Sequence, residues 1–239
     1  MRVVTWNLLH RIHAMNWGEP AIETHPEEAV RIAAITKRIA EFGIGVICLQ
    51  EVSGDQLASL RQALPDDTFH VHTYPRVPKP FRPGSGTPPL ADATEHLVTI
   101  MRRLTTRRSQ SETYPSDKGK GFLLVELIDG TVIVNTHVSY GDHHAAQCAQ
   151  LVSLVRSYPA VVLLGDFNEG RSTCGERLGN VFTAASPAVE KPTRPRTQPS
   201  SKTDVIDHIF VSGCSATEVE VLAGRGLSDH NPVAATIVP

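Results

Sequence analysis

Apolar residues recur along this chain in short runs, and most of the runs stop at a polar residue. Residues 3–6, 44–49, 96–101, 122–127, 131–134, 161–164, 205–211 and 233–238 read as buried strands, with 68–74 a further one. The stretch 161–168 is the most telling. Val161-Val162-Leu163-Leu164 ends in Gly165-Asp166-Phe167-Asn168, so a buried strand delivers a carboxylate and a carboxamide at its tip. If the backbone stays extended, Asp166 and Asn168 point to one side. The bland reading is an Asx turn closing a strand.

Helical spacing occurs between the strands. Pro26 opens a helix, with Glu27 and Glu28 at the positive end of its dipole. Ile32, Ile35, Ile39 and Phe42 form its apolar stripe, with Arg31, Lys37, Arg38 and Glu41 off the stripe, and Gly43 ends it. A short helix at 55–64 and a longer one at 142–158, with Leu151, Leu154 and Val155 inward, complete the set. Residues 8–24 read as a solvated loop carrying His10, His13, Asn16 and Trp17. Residues 75–90 (six prolines) and 187–202 read as long loops. Asp129-Gly130 marks a hairpin. A basic stretch holding Arg102, Arg103, Arg107 and Arg108 separates two of the strands.

Composition narrows the picture without deciding it. At 239 residues the chain can bury one substantial core, and 41% hydrophobic and 20% charged residues are ordinary for a globular protein. A net charge of −2 neither announces nor excludes nucleic acid as a partner. The apolar runs are too short for a membrane span, and no signal-peptide pattern precedes the first strand. Cys48, Cys148, Cys174 and Cys214 lack zinc spacing and read as free thiols in a reducing, cytoplasmic setting.

The polar strand ends, in order, are Asn7, Glu51, His137, Asp166 with Asn168, Asp207, and Asp229 with His230. An acid closing an apolar strand is costly unless paired or metal-bound, and Asp207 stands inside an apolar run where that cost is highest. So many such ends imply one shared site. Hard oxygen donors with two imidazoles, and no cysteine ligand, favour Mg2+ or Mn2+ over zinc. A divalent ion and two histidines make phosphate the natural anionic partner.

The segments Thr5-Trp6-Asn7, Leu49-Gln50-Glu51, Asn135-Thr136-His137, Gly165-Asp166-Phe167-Asn168, Ile206-Asp207-His208 and Ser228-Asp229-His230-Asn231-Pro232 resemble, in order, the motif series of the endonuclease/exonuclease/phosphatase superfamily. The resemblance spans the chain. It implies one α/β (α+β) domain over 1–239, a four-layer αββα sandwich of two mixed sheets with helices outside. It implies a Mg2+-dependent phosphoesterase, with Mn2+ as a substitute. Glu51, Asn7 and Asp229 would hold the metal. His230 would be the catalytic histidine, held by Asp207. Asp166 would orient the attacking water, Asn168 would bond the phosphoryl group, and His137 would contact a non-bridging oxygen.

Three departures blur the substrate: His96 with Arg102-Arg103, His144 or Gln147 in place of a helix arginine, and His208 in place of a tyrosine. Nucleic acid, a lipid or sugar phosphodiester and a small phosphomonoester compete. The small or compact substrate leads, gripped by the basic cluster 191–202 that includes Lys202. A nuclease acting on DNA or RNA is the alternative, and a non-catalytic binding module on the same fold the remote one.

Overall fold

The computed structural model describes residues 1–43, 45–81, 90–196 and 203–239. The elements run β1 (Arg2–Asn7), α1 (Arg11–Trp17), α2 (Ala21–Thr24), α3 (Glu28–Glu41), β2 (Val46–Ser53), α4 (Gly54–Ala63), β3 (Thr68–Thr73), β4 (Glu95–Met101), β5 (Thr106–Thr113) and β6 (Gly121–Leu127). They continue with β7 (Thr131–His137), α5 (His144–Val155), β8 (Ala160–Asp166), α6 (Arg171–Leu178), β9 (Thr183–Ala185), β10 (Asp207–Ser212), β11 (Ser215–Val221) and β12 (Val233–Val238). Two six-stranded sheets result, ordered β11-β12-β1-β2-β4-β3 and β5-β6-β7-β8-β10-β9. Each is mixed, with one central parallel pair, β1 with β2 and β7 with β8.

Alternation along the strands builds the layers. Val46 and Cys48 of β2 face inward and meet Val125, Ile133, Val162 and Ile209 of the other sheet. Ile47 and Leu49, between them, face outward under Ile35 and Ile39 of α3 and Leu57 and Leu60 of α4. The second sheet likewise turns Leu124, Val132 and Leu163 toward Cys148 and Leu151 of α5 and Leu178 of α6. Strands covered on both faces read as unbroken apolar runs, which is why period-two alternation is faint in the sequence. Burying a large aliphatic side chain contributes roughly 1.5–3 kcal/mol, so these clusters are the main stabilising term.

The sandwich expected from the sequence is present, with several local differences. Residues 8–24 are largely helical: α1 is capped by the His10 side chain, which accepts from the Ile12 N–H, and closed by Gly18 in the left-handed region. Helix α3 begins at Glu28 rather than Pro26, because Glu27 is extended (ψ 110°) and serves as the N-cap; the Pro26 carbonyl, outside the helix, accepts from Arg11 at 3.0 Å. Arg31 is buried, not solvated. It donates to the carbonyls of Leu8, Leu9 and Leu227 at 2.9 Å each, pinning the loops that follow β1 and precede β12. The basic stretch contains β5, an exposed sheet edge whose polar pattern concealed it. Asp207 is the first residue of β10 rather than its middle, with the Ile206 and Asp207 amides bonded to Thr193 Oγ1. The four cysteines are free. Among the described residues no helix is long and apolar enough to cross a membrane.

Candidate active site

The two parallel pairs end at the same edge of the sandwich. A buried amide network holds them together there: Gln50 donates to Asn135 at 2.7 Å across the sheets, and Asn135 donates to the Leu49 and Val98 carbonyls. Beyond this network the strand-end groups converge. Glu51 Oε1 lies 3.9 Å from His137 Nε2, which lies 3.3 Å from Asp166 Oδ2. Asp166 Oδ2 is 3.9 Å from His230 Nε2, which is 3.9 Å from Asp229 Oδ1. Asp207 Oδ2 sits 2.8 Å behind the ring, on His230 Nδ1.

Local backbone geometry aims these groups. Glu51 occurs where β2 bulges against β4, between Leu49 and Val52, and it adopts φ 54°. That left-handed conformation costs of order 1–3 kcal/mol for a non-glycine residue. It is held in place by the His10 N–H, which donates to Glu51 Oε2 at 3.1 Å. Past Asp166 the chain does not stay extended. Phe167 turns into the core and Asn168 takes φ 53°, its N–H bonding Asp166 Oδ1 at 2.9 Å. Asn168 still reaches the site, where Nδ2 donates to the Val138 carbonyl and lies 3.3 Å from His137 Nε2. Asn7 places its amide nitrogen 2.9 Å from Asp166 Oδ2 and accepts the Leu9 N–H on its oxygen.

The electrostatics follow from burial and neighbours. Burial opposes the charge on His230, but Asp207, Asp229 and Asp166 surround it and push its pKa up to about 10. Burial pulls the Asp207 carboxyl upward as well, so either end of the pair could hold the proton. His230, with three carboxylates around it, is the end where we place it. Asp166, although buried, is held well below the usual carboxylate range by His137, His230 and Lys120. Glu51 is held low against burial by His13, His137 and Lys120.

A cavity of about 530 Å³ opens over these groups, with Glu51, Asp166, Asn168, Asp229 and His230 on its floor. Several further side chains complete it, of which Lys120 and Arg194 were not singled out in the sequence. Lys120 contacts His137 Nε2 from the turn before β6. Arg194 bridges Asp229 (2.7 Å) and Glu19 (2.9 Å). Trp17 packs edge-to-face on Phe81 at 5.6 Å on the wall. Only the sequence run 191–202 hinted at Arg194. Lys202 of that run lies outside the described residues. The other basic cluster is elsewhere: Arg102 pairs with Asp67, and Arg107 and Arg108 pair with Glu126. His96, His144, Gln147 and His208 bond Thr73, Cys148, Ser139 and the Glu169 carbonyl, bracing the site rather than lining it.

The model of the endonuclease/exonuclease/phosphatase family matches residues 4–230. The chain belongs to that family. Members are hydrolases acting on phosphoester bonds, and the fold generally depends on a divalent metal. Among solved structures, a D. rerio TDP2 complexed with a single-strand DNA product is similar, at 13% identity and TM-score 0.74, covering 100% of this chain and 99% of that one. A Bacteroides vulgatus family protein is similar at 18% identity and TM-score 0.70, covering 99% and 97%. A functionally unknown conserved protein of Enterococcus faecalis V583 is similar at 16% identity and TM-score 0.69, covering 100% and 99%. No curated protein sequence matches this chain. At these identities the likeness establishes the fold alone.

Proposed function

We propose that this protein, as one domain over residues 1–239, is a Mg2+-dependent phosphoesterase that cleaves a compact phosphoester by in-line attack of water. The observation that carries the reading is the convergence of His230, Asp166 and Glu51 on the floor of one cavity, with Asp207 behind His230 and His137 behind Asp166 and Glu51. The donor set fits a hard cation. Glu51 and Asp229 line the cavity, Glu51 with Oε2 occupied by the His10 N–H, and the buried Asn7 amide oxygen, which accepts the Leu9 N–H, keeps a second lone pair. When bound, the ion supplies charge neutralisation at the phosphoryl oxygens.

The chain's own residues do the rest. Asp166, fixed by Asn7 and the Asn168 N–H, is an ionised acceptor that orients water. His230, protonated and held by Asp207, presents Nε2 as a donor to a phosphoryl or leaving-group oxygen. Lys120 and Asn168, both set against His137 Nε2, form a donor wall for the non-bridging oxygens. Arg194, within the 191–202 run, adds a cation at the rim. A cavity of about 530 Å³ suits a compact substrate. A second reading, a nuclease, is favoured by the exposed Trp17 and Phe81, at 69% and 66%, which offer faces on which bases could stack. It also draws on the TDP2 neighbour's DNA product.

The test is hydrolysis of bis-p-nitrophenyl phosphate with Mg2+, with Mn2+ and with chelator, in wild type and in His230→Asn. Metal-dependent turnover lost in the variant supports the reading. Turnover that survives chelation or the substitution overturns it.

A further inference from the structure

Beside the floor of the cavity lies a cluster of which the hydrolytic scheme uses only Glu51. His13 Nε2 sits 3.2 Å from Glu95 Oε2, and one donor atom each of His13, Glu51 and Glu95 lies within 4.8 Å of the others. Glu95 is 1% exposed, at the start of β4. A buried carboxylate carries a large desolvation cost, and two of them at this spacing repel. His137 and Lys120 also offset the charge of Glu51, whereas among the described residues the only ion-pair partner of Glu95 is His13.

An independent feature points to a missing partner at the same place. Tyr74 is 2% exposed, and its hydroxyl has no hydrogen-bond partner. Leaving such a group unpaired costs roughly 1–3 kcal/mol. Tyr74 follows the β3 residue opposite His96, and its N–H donates to the Glu95 carbonyl at 2.9 Å. Residues directly opposite on adjacent strands project from the same face, so Tyr74 and Glu95 stand side by side. Glu95 is the charge that the Tyr74 hydroxyl feels most strongly, and Glu51 is also among them.

We propose that His13, Glu51 and Glu95 hold a second divalent ion, of transition-metal type, with Glu51 shared between it and the hydrolytic ion. One imidazole and two carboxylates form a mixed nitrogen–oxygen set, which suits Mn2+, Fe2+ or Zn2+ better than Mg2+. The ion would neutralise the paired carboxylates, and the unpartnered Tyr74 hydroxyl stands beside Glu95 as a donor for the shell around it. The bland competitor is a plain His13–Glu95 ion pair. The inference rests on the phosphoesterase reading only in sharing Glu51.

Mn2+ is the probe, with equilibrium dialysis for stoichiometry and pulsed electron paramagnetic resonance for bound nitrogen. The wild-type protein is expected to bind two Mn2+ ions, one of them coupled to an imidazole nitrogen. His13→Gln and Glu95→Gln should each bring the count to one, and His13→Gln should remove that nitrogen coupling. Should either variant fail to fold, Glu95→Asp keeps the charge but withdraws the oxygen, and must weaken the second ion about tenfold or more. A single ion in wild type overturns the proposal while leaving metal-dependent hydrolysis intact. So does a count unchanged by these substitutions. No bound ion at all sinks both readings.

Discussion

His208 should make the fold sensitive to acid, and the size of the effect can be worked from its surroundings. The ring is 2% exposed, packs against Phe167 and Phe210, and donates Nε2–H to the Glu169 carbonyl at 2.8 Å. Burial, with Arg171 nearby, drops its pKa from 6.5 to about 4. Between those values the unfolded chain binds a proton that the folded one refuses. Stability is therefore complete above about pH 6.5 and is lost as pH falls toward 4. A shift of this size corresponds to about 3 kcal/mol, at 1.36 kcal/mol per unit. His208→Gln removes the titration, and its side-chain amide can still donate to the Glu169 carbonyl. Urea unfolding of both proteins at pH 7.5 and pH 4.5 isolates the term, because His10 and His144, also pushed down by burial, titrate alike in each. The stability advantage of wild type over the variant should shrink by about 2–3 kcal/mol across that interval. A difference that stays constant within about 0.5 kcal/mol would refute the assignment of a neutral, buried His208.

Asp207→Asn should leave the fold standing and lower the rate on a phosphodiester by about 10²–10⁴, the usual contribution of a positioned acid or base. Its pH–rate profile should lose the alkaline limb first, since the carboxylate that holds the proton on His230 is gone. Glu51→Gln should abolish metal binding measured by dialysis. It should also lower the apo melting temperature rather than raise it, because Lys120, His13 and His137 favour the charged form of Glu51 over the neutral one. Repulsion between Glu51 and Asp166 is interrupted by His137, which lies 3.9 Å from one and 3.3 Å from the other. Gly165→Ala should destabilise by about 1–3 kcal/mol or more in urea, because an added Cβ would meet the Thr136 carbonyl oxygen at 1.9 Å.

What could be seen in the sequence, and what could not, divides along a physical line. The strand ends were legible because each joins a long-range fact to a local one: an apolar run must be buried, and a polar group at its end must then be satisfied. Glu51, His137, Asp166, Asp207 and His230 were found in this way. The elements that escaped carry no such contradiction. Edge strand β5 is polar on both faces, since its exposed side chains bury little. Helix α1 is short, with only Arg11, Ile12 and Ala14 buried, too few to make a helical stripe.

The residues that escaped share one trait: their place in the fold depends on what lies opposite, not on where they stand in their own segment. Lys120 occupies an ordinary basic turn until His137 is set against it. Arg194 is one cation in a polar loop until Asp229 and Glu19 close on it. Arg31 seemed to belong to the wet face of α3. In the fold, three carbonyls from segments up to 196 residues away converge on its guanidinium. A buried guanidinium costs several kcal/mol unless every donor is taken, and no periodicity along one helix records whether acceptors will arrive. The same holds for His13, Tyr74 and Glu95, which lie on a helix, after one strand and at the start of another. Taken singly, each is a polar residue at the edge of an apolar run or in a loop. Only the β3–β4 register and the docking of α1 bring them within reach of Glu51. An acid at a strand tip can therefore be found by reading along the chain. The shell of groups that tunes that acid has to be read across it.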